Sequence, residues 1–165
     1  MYRAIIIIAI GICSFKASGQ VKATTIQSVF IYSTIKYMEW PEDDLPDFTI
    51  IILGDSPLYD ELVKVSKIKK AGNRNIAVRK VNSVNDITKC HILFICSDKT
   101  NQLNKVAVNA DQPVVIITEK EGAIDKGSDL NFIQRGEKLT FQLSEKSLSN
   151  KKIRVSGAFT TLAER

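Results

Sequence analysis

The chain has 165 residues, a quarter of them charged, with a formal net charge of +5. That is the length of one domain with a core of its own; the charge is too mild for a nucleic-acid binder, and no basic run is interleaved with aromatics. A single histidine, His91, excludes a multi-histidine metal centre and leaves any serine or cysteine triad only this one residue to build on.

The first nineteen residues read as an export signal. Met1 to Arg3 supplies one positive charge, Ala4 to Ile12 is an unbroken apolar run, and Ala17-Ser18-Gly19 offers small residues for a signal peptidase. The run is shorter than the roughly 20 residues of a membrane helix, which disfavours the alternative, an uncleaved anchor. Cys13 follows Ile12 rather than a small residue, against lipidation. Cleavage near Gly19 is expected, leaving residues 20–165 as one domain and, with Arg3 and Lys16 removed, 21 basic against 18 acidic residues.

The mature chain opens on an aromatic-rich helix that includes Val29 to Trp40 and closes before Pro41. Ile26, Val29, Phe30, Ser33, Tyr37 and Trp40 recur at steps of three or four, which predicts that they form the inward face. Trp40 is expected to anchor the helix end. Tyr32 and Met38 fall on other faces and, with Phe159 from the tail, are the expected dimer or partner surface, because a contact patch needs exposed apolar anchors.

After an acidic spacer, FTIIIL from Phe48 to Leu53 is apolar nearly throughout, as expected of a strand covered on both faces. Gly54-Asp55-Ser56-Pro57 has the chemistry of a strand-to-helix turn and a weak resemblance to an anion nest. A helix follows over Leu58 to Lys70, carrying Leu58, Leu62, Val65 and Ile68 on one side and ending at Ala71-Gly72-Asn73. Lys64, Lys67, Lys69, Lys70 and Arg74 cluster late in it, where they complement the helix dipole; an anionic partner is the alternative reading.

The strand Asn75 to Val81 alternates and is expected nearer an edge. Asn82 to Lys89 is a polar connection with one turn around Val84 to Ile87. His91 to Cys96 is a second apolar strand, with His91 structural at its start. A helix from Ser97-Asp98 through Leu103 and Val106 ends near Asn109, and Pro113 to Thr118 is a third apolar strand. Strand and helix in alternation predict an α/β fold: a largely parallel, doubly wound sheet with helices on both faces. Asp129 to Gln134 and Leu139 to Leu143 around a glycine turn predict a C-terminal antiparallel hairpin on one sheet edge, with Phe132 packed beneath it. Ser144-Glu145 opens a short helix, and Ile153 to Arg165 supplies a brief strand and a last helical turn bearing Phe159 and Leu162.

Cys90 and Cys96 bracket one extended strand, so their Cα atoms stand roughly 20 Å apart, whereas a disulfide needs about 7 Å or less. Both are expected as buried free thiols. Asp55, Asp98 and Glu119 fall at strand ends, where helix capping accounts for them, and no catalytic constellation is present. No cofactor or metal is called for.

The run KYMEWP from Lys36, followed by FTIIILGDSP from Phe48, resembles the opening of the YfiR family of bacterial periplasmic proteins. The likeness continues through IAVRKV at 76–81, CHILFI at 90–95, PVVIIT at 113–118, DLNFI at 129–133, KLTFQL at 138–143 and the closing 153–163, in matching order and spacing. The resemblance implies a dimeric, non-catalytic periplasmic regulator that restrains an inner-membrane signalling protein. Typically that partner is a diguanylate cyclase with a periplasmic part, so that release raises cyclic di-GMP. The redox control through disulfides that the resemblance also implies is not expected here, since no cysteine remains to pair with Cys90 or Cys96 once Cys13 is removed. The alternative reading is a periplasmic small-ligand binding module serving a transporter or a sensor kinase.

Overall fold

The computed structural model describes residues 16–107, 113–136 and 138–164. Helix α1 (Lys16–Tyr37) runs into a short strand, β1 (Met38–Glu39), and a loop leads to β2 (Phe48–Leu53), α2 (Leu58–Ile68) and β3 (Ile76–Val81). There follow β4 (Ile92–Ile95), a 3-10 turn over Ser97–Gln102 that passes into α3 (Leu103–Ala107), and β5 (Val115–Thr118). The hairpin strands are β6 (Leu130–Arg135) and β7 (Lys138–Leu143), after which come α4 (Glu145–Asn150), β8 (Arg154–Val155) and α5 (Gly157–Thr160). Of the expected export signal, residues 1–15 lie outside the described residues, as does the expected helix end at Val108 and Asn109.

Six strands form one sheet in the order β3-β2-β4-β5-β6-β7. The first five are parallel and β7 pairs antiparallel with β6. This is the expected α/β architecture, with the hairpin extending one edge and β3 at the other. Side chains of successive strand residues point to opposite faces. Phe48, Ile50, Ile52, Phe94, Ile117 and Phe132 therefore join Leu58 and Leu62 of α2 and Ile31 of α1 in one core. Ile51, Leu53, Leu93, Ile95 and Ile116 meet Leu103 and Val106 of α3 in a second. Each fully buried aliphatic side chain contributes on the order of 1.5–3 kcal/mol, which is why the three central strands carry almost no polar residue.

The packing of α1 reverses the expected orientation. Its buried face consists of Thr24, Gln27, Ser28, Ile31 and Thr34, while Val29 is 58% and Tyr37 42% exposed. Hydroxyls can sit inward because the helix satisfies them itself: Ser28 Oγ donates to the Thr25 carbonyl at 2.7 Å and Thr34 Oγ1 to that of Ile31 at 2.6 Å. Gln27 donates to Glu119 beyond β5 at 3.0 Å. Phe30 keeps its expected contact with the interior, its ring lying 5.3 Å from Phe141 and 6.1 Å from Phe132. Helix α1 also ends at Tyr37, three residues early, because Met38 and Glu39 pair antiparallel with Val155 and Arg154 in a separate two-stranded ribbon.

Candidate functional site

Open α/β sheets bind ligands at the carboxyl ends of their strands, where the strand order reverses. Here that point lies between β2 and β4. Gly54 follows β2 with φ of 109°, a left-handed conformation that glycine tolerates. A Cβ there would stand 2.9 Å from Cys96 Cβ and 3.0 Å from both Asp98 Oδ1 and Lys99 Cγ, so these side chains pack directly against Gly54. Ser56 Oγ accepts from the Leu58 amide at 3.2 Å, using one of the donors at the start of α2. Glu119 is occupied too, accepting from the Ser97 amide and hydroxyl and from Gln27. Thus LGDSP forms a closed turn, and Asp55 pairs outward with Lys80 at 2.9 Å. Among the described residues no group of histidine, cysteine or acidic side chains could hold a metal ion.

At the opposite end of the sheet the one histidine holds the acidic loop in place. His91 Nδ1 accepts the Thr49 amide at 3.0 Å, so the proton of the neutral ring sits on Nε2 and is donated to Asp43 at 2.9 Å. Arg74 binds the same carboxylate at 2.8 and 3.0 Å, and its guanidinium lies 3.2 Å from the ring nitrogen. Burial pushes the His91 pKa below its ordinary value, against the upward pull of Asp43. Burial raises that of Asp43, but hydrogen bonds from Arg74 and His91 outweigh it and hold the group at about 2. Trp40 donates its indole N–H to the His91 carbonyl at 3.2 Å and meets Phe48 edge-on at 5.0 Å. It anchors the end of the segment as expected, from the loop beyond α1 rather than from the helix itself.

Among the described residues Cys90 and Cys96 are buried free thiols, Cys90 in one core and Cys96 in the other. Burial pushes each up to about 12. Neither is a nucleophile at neutral pH.

The expected contact residues divide. Met38 is buried at 4% exposure because pairing of β1 with β8 turns it inward. Phe159 is fully buried, its ring stacked 5.0 Å from Phe141, because α5 folds back beside α1 and β7. Neither is a surface residue. Tyr32 is half-buried at the seam between α1 and α2, with the Lys69 ammonium 5.9 Å from its ring. Phe132 is buried beneath the hairpin as expected. Besides Ile68 and Leu162, the exposed large apolar side chains among the described residues are Val29 and Tyr37 on the outer side of α1, both expected on its inward face. The signal that could have found them is the run of small hydroxyls and amide at Thr24, Gln27, Ser28 and Thr34, which shares the helical period but not the expected polarity. Two clefts of about 380 and 370 Å³ flank the β1–β8 ribbon, one reaching Trp40 and Lys152, the other Lys36 and Tyr37, with Glu39 and Arg154 lining both.

The sheet is mostly parallel, and its strand-order switch point is closely packed around Gly54. Residues 24–164 match the model of the YfiR/HmsC-like family, and the chain belongs to that family. Its members are regulators rather than enzymes, associated with cyclic di-GMP signalling. Comparison with curated proteins finds no match.

Proposed function

We propose that this chain is a periplasmic, non-catalytic regulator that binds the periplasmic part of an inner-membrane diguanylate cyclase and holds it inactive. The outer face of α1 carries this reading. A helix in the outermost layer normally turns its polar side to water. Here Val29 is exposed and Tyr37 partly so, its ring stacked 6.1 Å from Phe159, while Thr24, Gln27, Ser28 and Thr34 face in. Exposure of Val29 gains nothing in the isolated domain, and a partner that covers the outer stripe would stabilise it. Self-association through the same stripe would give the homodimer that the family resemblance implies.

The test is cyclic di-GMP in the living bacterium. Deleting the gene is expected to raise it and overexpression to lower it. Unchanged cyclic di-GMP in both, in cells shown to contain the protein, removes the cyclase reading. It would leave the clefts beside β1 and β8 as grounds for the small-ligand module.

A further inference from the structure

Beyond the crevice, the histidine clasp and the outer face of α1, one feature of the surface has no role in the fold. Ile68, the last residue of α2, is 77% exposed. It sits among Lys67, Lys69 and Lys70, all exposed, with Lys64 one turn earlier. Nearby acids do not neutralise this end. Glu61 is taken by Lys64 at 2.6 Å, Asp43 by Arg74, and Asp60 lies in the first turn of the helix. Among the described residues Lys67, Lys69 and Lys70 have no carboxylate partner, and neither has Lys36 near the matching end of α1. The two helices run side by side in the same direction: Thr25 meets Glu61 near the start of α2, and the Tyr32 ring lies under Lys69 just past its end. Their basic ends therefore share one side of the molecule.

Favourable interaction with the helix dipole accounts for Lys67 in the last turn. It does not account for Lys69 and Lys70, which lie past the last helical residue, Lys69 in extended backbone, nor for an isoleucine held in water among them. A ring of unpaired lysines around one protruding aliphatic side chain is the chemistry that binds anionic lipid: the ammonium groups meet the headgroups and the side chain enters the acyl boundary. We propose that the C-terminal end of α2, through Ile68 and Lys67, Lys69 and Lys70 with Lys36 beside them, docks the protein on an anionic phospholipid surface. Each lysine brought to such a surface raises binding roughly fivefold. The site places the domain at a bilayer independently of which membrane protein it regulates.

Co-sedimentation of the purified protein with phosphatidylcholine vesicles, with and without about 30% phosphatidylglycerol, tests this without any protein partner. Binding is expected only to the anionic vesicles at about 0.05 M salt and is expected to be lost near 0.5 M. Charge reversal in a Lys67→Glu, Lys69→Glu, Lys70→Glu variant should cut it by roughly a hundredfold or more. Ile68→Ser should weaken it several-fold with the salt dependence kept. Equal binding to neutral vesicles, no binding to either kind, or undiminished binding by the charge-reversed variant overturns the proposal. Loss of a co-purifying membrane protein in that variant, without vesicle binding by the wild type, overturns it in favour of an acidic protein partner.

Discussion

His91 is held neutral by its surroundings. Protonating Nδ1 would set two donors, the ring N–H and the Thr49 amide, face to face at 3.0 Å, beside the Arg74 guanidinium. Lys89 and Asp44 pair with each other at the same rim and leave the balance unchanged. Because the folded pKa of His91 lies below its unfolded value of about 6.5, the unfolded chain binds more protons as the solution acidifies. The stabilising contribution is fully present above that value and is lost as pH falls below it and through the lower folded pKa. Asp43 adds a second loss at lower pH, from the unfolded carboxylate range of about 4 down to about 2. Urea midpoints should therefore fall between pH 7.5 and 5 in the wild type and fall less in His91→Gln, which should itself be less stable by about 1–3 kcal/mol for the amide it leaves unpaired. An identical pH slope in both would show that the ring is not the titrating group. The structural role of this histidine was legible from its place at the start of a buried strand. Its partners were not, since Asp43 and Arg74 lie 48 and 17 residues away in the chain.

The central strands were readable as elements because burial on both faces leaves an unbroken apolar run, and register then follows from the sheet. Helix α1 misled for the converse reason. Its aromatic and aliphatic residues hold the helical period, but the period alone does not say which side meets the sheet. The small hydroxyls of Ser28 and Thr34 could take the inner side because backbone carbonyls satisfied them. Met38 and Phe159 were unreadable because their burial depends on the pairing of β1 with β8 and the return of α5, contacts between the two ends of the domain. These placements separate in a thermal melt. Phe159→Ala, which removes a fully buried ring stacked on Phe141, should cost about 3–5 kcal/mol. Val29→Glu, at an exposed helical position where glutamate is the better helix former, should change stability by no more than about 0.5 kcal/mol. A melting temperature untouched in Phe159→Ala would place that ring back on the surface.

At the scale of the molecule, one side of the domain is settled by its own interior and the other faces outward with unused apolar and basic groups. At the carboxyl end of the sheet Cys96, Asp98 and Lys99 pack against Gly54, and the strand ends beside it are tied by Glu119 to Ser97 and Gln27. The α1 and α2 layer is exposed on the other side, and we propose that contact through it carries the regulation. Capture from solubilised inner membranes, with wild-type protein and Val29→Glu as paired baits of equal melting temperature, addresses this most directly. The wild type is expected to retain a diguanylate cyclase and Val29→Glu to lose most of it. Equal recovery of the cyclase on both baits would contradict a contact through the outer face of α1.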